Sequence, residues 1–216
     1  MRLIRNIFIL AIFLFMATAS IAQKNKGGIV LNAGAGFSAF GILGSVSFSL
    51  KDEFTIKSKS TPAFVGSLDY AFENRVSIGI GGGYQAVHQT ISDYQYMDAN
   101  GVDRLGSFSY DVSRLNAGIR VLYHFGNGPV DIYIGMKPGV NIYQIQLQKV
   151  DEIPTPSWAE LSGTTFAFQF IPLGLRGYFT DNFGFFMETG FGAPSFISGG
   201  LCLGMQLPTE KIHPTN

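Results

Sequence analysis

The strongest constraint on this chain is a two-residue alternation in which one face is apolar and the other is small or polar. In the segment VSIGIGGGYQAVH (76–88), Val76, Ile78 and Ile80 share one parity, while serine, glycine and glutamine occupy the positions between the apolar ones. Successive side chains of a strand point to opposite faces, so this period predicts a strand. The second face of that strand must lie where there is little room.

Eight segments carry this pattern and predict an all-β fold. Tight-turn sequences (ENR, GNGP and TDN) alternate with longer connections at 39–61, 92–107 and 150–164, although the last connection, 193–196, is short. A change of parity predicts a bulge near Ser113, and Pro172, which lacks an N–H donor, predicts another irregularity. Residues 42–50 also alternate, so 39–61 could be a hairpin above the barrel or two further strands; we favour eight strands. The predicted strands are 28–38, 62–72, 76–91, 108–125, 130–147, 165–179, 183–192 and 197–207.

The composition favours a membrane barrel over a soluble sandwich. Charged residues make up 14% of the 216 residues, against about 25% in typical soluble domains. The second face of each strand lacks the lysine and glutamate coat that bulk water would favour. We therefore predict a single closed antiparallel transmembrane β-barrel of about eight strands, with short periplasmic turns and longer extracellular loops. Its apolar face would meet lipid, and its small polar face would fill a narrow lumen.

In the central parts of the strands the charged residues fall on the lumen parity, where they predict a structural polar network. Charges on the lipid face near the midplane are costly, and buried charges need partners. We expect Arg176 near Glu188 across TDN, and His124 facing Asp131 and Arg114 facing Asn141 across GNGP. The predicted network comprises Asp69, Arg114, Arg120, Asp131, Lys137, Arg176 and Glu188.

Aromatic residues near the strand ends predict two interfacial girdles, although phenylalanine and tyrosine are also good strand formers in any sheet. One predicted girdle, near the short turns, comprises Tyr70, Phe72, Tyr123, Phe125, Phe179 and Phe183. The other, toward the long loops, comprises Tyr84, Phe108, Tyr110, Phe166 and Phe168.

The N-terminus predicts export. Arg2 and Arg5 precede an apolar stretch at 7–16, and the small residues of Ser20-Ile21-Ala22 favour cleavage before Gln23 over retention as a membrane anchor. We expect a cleaved signal peptide (1–22), a barrel (23–207) and a short tail (208–216). The single cysteine, Cys202, excludes an internal disulfide, and the zero formal charge argues against a nucleic-acid partner.

The quoted stretches resemble known families. The motifs TPAFVGSLDYAFENRVSIGIGGGY (61–84) and GLRGYFTDNFGFFMETGFG (174–192), with IAQ at the signal end, resemble small outer-membrane barrels of the OmpX and OmpA transmembrane-domain type. The resemblance is closer to the outer-membrane β-barrel proteins common in Bacteroidetes. It implies a Gram-negative outer membrane, contact with lipid and lipopolysaccharide, and insertion by the barrel-assembly machinery. One difference is the segment PTEKIHPTN after Leu207, where such barrels often end on an aromatic residue.

Few residues suggest chemistry. His88 and Thr90 lie near the outer end of the third strand, which resembles the His and Ser placement of lipid A deacylase barrels, with threonine replacing serine and no acid evident from spacing. GIGGG (79–83) lacks the lysine and helix of a phosphate loop, and the acidic loop residues Asp93, Asp98 and Asp103 lack the spacing of a calcium loop. We predict no catalytic residue, metal or cofactor. We expect a monomeric structural or surface-interaction protein with an unknown extracellular ligand; the alternatives are a narrow porin-like channel and a lipid-modifying esterase.

Overall fold

The computed structural model describes residues 26–43, 45, 48–50, 54–97, 101–125, 130–149 and 162–206. These residues form ten strands and one short helix. Their bounds in chain order are β1 Gly28–Phe37, α1 Ala39–Leu43, β2 Phe48–Leu50, β3 Phe54–Ser60, β4 Ala63–Glu73, β5 Val76–Met97, β6 Asp103–His124, β7 Val130–Lys149, β8 Gly163–Tyr178, β9 Phe183–Gly192 and β10 Ile197–Gln206.

Eight of the strands close into an antiparallel barrel. Each of β4 to β9 pairs with the next strand in sequence, and β1 pairs with both β4 and β10. The remaining strands, β2 and β3, form a hairpin whose second strand pairs with the outer part of β5. The predicted all-β barrel is therefore confirmed, and segment 39–61 contributes a short helix and an added hairpin.

The two ends of the barrel differ. At the short-turn end, two residues join β4 to β5 and four join β8 to β9; GNGP lies outside the described residues. At the opposite end, β5 runs to Met97 and β6 starts at Asp103, so the prediction of a loop over 92–107 is wrong for most of that segment. The two strands extend because their antiparallel ladder continues past the apolar band, satisfying the backbone groups of both.

An apolar band surrounds the barrel. Ile78, Ile134 and Leu203, at the centre of the predicted lipid face, all point outward and are between 37 and 47% exposed. The predicted lumen face points inward, as alternation along each strand requires. No helix in the described part of the chain is long and apolar enough to span a membrane.

Above this band the pattern reverses. Phe108 and Val87 are buried inside the barrel extension, each 3% exposed, whereas His88 faces outward. The β5–β6 pairing is continuous through Ala86 and Ser113, so the bulge predicted near Ser113 is wrong; the irregularity lies between Ile91 and Tyr94. Apolar side chains turn inward here because the outer surface meets water. For the same reason the prediction that Phe108 belongs to an aromatic girdle is wrong. The prediction is also wrong for Tyr110, which lies on the same inward face of β6.

Two other local predictions agree with the structure. The pairing of β8 with β9 shifts register between Phe170 and Leu173, on either side of Pro172. The other predicted girdle residues are at least 40% exposed.

The interior glycines lie where larger side chains cross the lumen. A Cβ added to Gly81 would lie 2.6 Å from Cδ of Arg120, and one added to Gly174 would lie 2.0 Å from the ring of Tyr133. A side chain at either position would displace a residue of the polar network described next. The glycine face of the strands is therefore required by crowding inside the barrel.

Candidate functional site in the barrel interior and at its rim

An ion-pair network crosses the barrel interior around Asp69. This carboxylate is fully buried and accepts hydrogen bonds from two guanidinium groups. Nε of Arg120 lies 3.0 Å from Oδ1 of Asp69, and Nη2 of Arg176 donates to Oδ2. Asn32 links the same groups, donating to Oδ2 of Asp69 at 3.2 Å and accepting from Nε of Arg176 at 3.2 Å. Strands β1, β4, β6 and β8 are thus joined through their side chains.

Glu188 of β9 forms the second acidic position. Arg120 binds it with two nitrogens, Nη1 at 3.2 Å from Oε2 and Nη2 at 2.6 Å from Oε1. The hydroxyl of Tyr133 donates to Oε1 at 2.7 Å, and the ring of Tyr133 lies 4.7 Å from the guanidinium carbon of Arg176. Such bidentate pairing satisfies both the charge and the hydrogen-bonding geometry of the carboxylate. Arg176 and Glu188 are diagonal neighbours, as predicted, since Glu188 pairs with Gly174.

Asp131 extends the network toward the short-turn end. Its Oδ1 lies 2.7 Å from Nδ1 of His124, and its Oδ2 lies 3.5 Å from Nη1 of Arg176. Nε2 of His124 lies 2.8 Å from the hydroxyl of Ser77. The expected contact between His124 and Asp131 is therefore present, and both ring nitrogens of the histidine have partners.

Lys137 lies on the other side of the network and contacts a neutral group. Its ammonium donates to Oδ1 of Asn116, whose amide donates to Oδ1 of Asn141 at 2.9 Å. The expected pair of Arg114 and Asn141 is wrong, because the β6–β7 register places Asn116 opposite Asn141 and Arg114 opposite Tyr143.

Helix α1 covers the mouth of the barrel at the long-loop end. Phe40 of this helix lies over the guanidinium of Arg114, with 4.9 Å between the ring centroid and Cζ. Nη2 of Arg114 also donates to Oε1 of Gln85 at 3.2 Å and to the carbonyl of Pro194 at 2.7 Å. Arg114 thus anchors the helix and the β9–β10 connection to the inner wall.

The structure places all seven predicted network residues inside the barrel, each at most 7% exposed. Asp69, Arg120, Asp131, Arg176 and Glu188 form one connected set, whereas Lys137 and Arg114 contact neutral groups. The predicted network did not include the uncharged partners, although lumen parity is a signal for them and Asn141 was expected opposite Arg114. These partners are Asn32, Ser77, Gln85, Asn116, Tyr133 and Asn141.

A second arrangement lies on the outer surface, above the apolar band. Nδ1 of His88 lies 2.7 Å from Oδ1 of Asp111, and Nε2 of His88 lies 3.3 Å from the hydroxyl of Thr90. Asp111 is the cross-strand neighbour of His88 on β6. Lys59 and Lys57 of β3 are the neighbours of His88 and Thr90 on the other side. The acid that spacing could not reveal is therefore supplied by strand pairing.

Two groups outside the membrane band have shifted pKa values. Burial raises the pKa of the Tyr110 phenol, which points into the barrel extension and donates to Gln89. At the short-turn end, a 2.9 Å hydrogen bond to Glu73 and its negative charge raise the pKa of the Lys26 ammonium. Lys26 is strongly exposed, so this pair contributes little to stability.

A closed barrel with an apolar outer band and a polar, side-chain-filled interior defines a transmembrane β-barrel protein. The sequence agrees, because residues 8–193 match the family model described as the outer membrane protein beta-barrel domain. The chain belongs to this family, and the outer membrane is its location.

Two solved structures match this chain at low sequence identity. The N-terminal β-barrel domain of Pseudomonas aeruginosa OprF is 15% identical over 83% of this chain and 96% of that chain, with a TM-score of 0.40. Ail, the attachment invasion locus protein of Yersinia pestis, is 12% identical over 83% of this chain and 96% of that chain, with a TM-score of 0.33. No curated protein matches the chain.

Proposed function

We propose that this protein is a non-conducting outer-membrane barrel that presents its extracellular extensions to a partner outside the cell. The observation that carries this proposal is the filled lumen. Charged and amide side chains cross it from His124 near the short turns to Arg114 at the mouth, where Phe40 covers the guanidinium. Opening a path for ions would require breaking buried ion pairs, and water-filled channels occur in wider barrels.

The part available to a partner lies above the apolar band. There β5 and β6 continue as a long hairpin, and the β2–β3 hairpin widens the sheet beside it. A large exposed sheet on a rigid barrel suits surface interaction, because binding residues are commonly displayed on segments held by a fixed scaffold.

The remaining assignments belong to the same proposal. Residues 1–22 direct export and are removed, residues 23–207 constitute the barrel, and residues 208–216 form a tail. The barrel-assembly machinery inserts the chain, which remains a monomer surrounded by outer-membrane lipid and lipopolysaccharide. The apolar band supports the contact with lipid, and the matched family supports the outer-membrane location.

Planar-bilayer recording of the purified protein separates a filled barrel from a narrow porin-like channel. We expect no steady current from wild type. A stable ohmic conductance that scales with the number of inserted molecules would contradict the proposal.

Proteolysis of intact cells tests the display: cleavage should map to the β5–β6 tip and to 150–161, and protection of both segments would count against surface exposure.

A second candidate function, hydrolysis of an ester in a membrane lipid, is supported by the contacts among Thr90, His88 and Asp111. In this reaction the Thr90 hydroxyl attacks the ester carbonyl while His88 accepts its proton. The alcohol then leaves with that proton, and water cleaves the acyl-threonine. Asp111 would orient the imidazole. Strand pairing engages backbone N–H groups near Thr90, so Lys57 on the adjacent strand is the candidate for stabilising the oxyanion.

Release of fatty acid from lipopolysaccharide or phospholipid, measured by mass spectrometry, tests this candidate. Both His88→Ala and Thr90→Ala should abolish release, whereas Gln146→Ala, on the same outer surface beside Asp111, should not. No release by folded wild-type protein, or equal release by the His88 variant, would eliminate the esterase.

A further inference from the structure

Counted with every group ionised, the described interior side chains include four cations and three carboxylates. Arg114, Arg120, Arg176 and Lys137 face Asp69, Asp131 and Glu188 when His124 is neutral. All three carboxylates bind Arg120 or Arg176. Among the residues that the structure describes, the side chain of Lys137 therefore contacts the amide oxygen of Asn116 but no carboxylate.

Lys137 cannot rely on bulk water to balance this charge. Its side chain is 3% exposed and lies on β7 within the membrane-spanning part of the barrel. A buried ammonium is costly to maintain without an opposite charge nearby. Arg114 also has no acid partner among the residues that the structure describes, but it lies at the mouth beneath Phe40, whereas Lys137 lies deeper in the lumen.

A small cavity lies beside Lys137. Its volume is about 20 Å³, measured as the space open to the centre of a water-sized sphere. A single water needs about 10–15 Å³ by this measure, so the cavity has room for one water or one monatomic ion.

The cavity wall favours an anion. Besides Lys137, it contains Arg120, the amide of Gln169 and the hydroxyls of Ser67, Ser195 and Ser198. Gln169 uses one amide hydrogen on the carbonyl of Ser195 at 3.0 Å, which leaves the other for a ligand. Glu188 also lines the cavity, but Arg120 and Tyr133 bind both of its oxygens.

We infer that this cavity is a halide site and that a chloride ion bound there is the counter-ion of Lys137. The ion would accept hydrogen bonds from the ammonium and from the neighbouring amide and hydroxyl groups. It would neutralise the excess charge and link β7 to β4, β8 and β10 through the lumen. Its role is to stabilise the filled state of the barrel.

Thermal unfolding of the full-length protein in detergent micelles tests the site. The measurement replaces sodium gluconate with sodium bromide at constant ionic strength. A ligand that binds only the folded state raises the unfolding midpoint, by about 5–10 °C at a hundredfold excess over its Kd for a chain of this size. Lys137→Met should lose this dependence, whereas Lys26→Met, which removes a strongly exposed lysine, should retain it. Comparing the variants with wild type removes general salt effects.

The same unfolding midpoint for wild type in bromide and gluconate would overturn the inference, as would full bromide dependence in Lys137→Met. Crystals of wild type grown with bromide provide a test that needs no folded variant. An anomalous peak within hydrogen-bonding distance of Nζ of Lys137 supports the site. Density without an anomalous signal at saturating bromide would show that water occupies the cavity and would also overturn it.

Discussion

At the scale of single residues, Arg176 shows how a charge is kept inside a membrane protein. It is fully buried, and its guanidinium contacts Asp69, Asp131, Asn32 and the ring of Tyr133. The low-dielectric surroundings make each unpaired charge expensive, so removing the arginine would leave two carboxylates undercompensated. Arg114 is similarly buried but contacts neutral groups, which makes it a natural comparison.

We expect Arg176→Met to lower the free energy of unfolding by about 3–5 kcal/mol, because it leaves uncompensated buried charge. Arg114→Met should cost clearly less, since its partners Gln85 and Pro194 are uncharged. Urea unfolding of the refolded protein in lipid vesicles, followed by circular dichroism, measures both values. Equal losses for the two variants would show that the acid partners of Arg176 are not what makes it important.

At the scale of secondary-structure elements, each long strand passes through two environments. On β7, Met136 faces outward within the apolar band, and Gln146 faces outward above it. The same outward face therefore meets acyl chains near the short turns and water near the long loops. This change of environment explains why Phe108 on β6 is buried, although the inward face of β6 lower in the barrel carries Arg114, Asn116 and Arg120.

Replacing Met136 with arginine should destabilise the barrel by about 2–4 kcal/mol, the cost of a cation near the bilayer midplane. Gln146→Arg, on the same strand and the same face, should cost little because its side chain remains in water. Folding into vesicles over a urea series measures the difference. If the two substitutions had the same effect, the apolar band would not be the membrane-spanning part of β7.

At the scale of the whole molecule, barrel closure does not involve the β2–β3 hairpin. The closing pairs are β1 with β10 and β5 with β6, whereas β3 adds to β5 only above the lower barrel, from Ser60 outward. Helix α1, by contrast, contacts the lumen through Phe40 and Arg114. The hairpin is therefore an appended element, and the helix belongs to the closed mouth.

Replacing residues 46–58 with a short glycine–serine linker should leave the barrel folded. The heat-dependent mobility shift of a folded barrel on SDS gels measures this outcome, and surface labelling of the β5–β6 tip shows whether the display survives. The matched change Phe40→Ala retains the hairpin but removes the aromatic cover over Arg114. Failure of the linker variant to fold would show that closure depends on the hairpin.

The sequence by itself determined which residues face lipid and which face the lumen. Alternation with period two assigns Ile78, Ile134 and Leu203 to one face and Asp69, Arg120 and Glu188 to the other. This assignment requires no knowledge of distant neighbours, because side-chain direction is a local property of a strand. The irregularity at Pro172 was predictable for the same local reason, the missing N–H donor.

Only the tertiary structure decided which residues meet. Contacts such as Arg120 with Glu188 or His88 with Asp111 depend on register and closure, which are set by many backbone pairs acting together. The continuation of β5 to Met97 and the inward turn of Phe108 depend on where the apolar band ends, a property of the whole barrel. Local alternation fixes the face of each side chain, whereas its partner across the lumen is fixed by the strands that close around it.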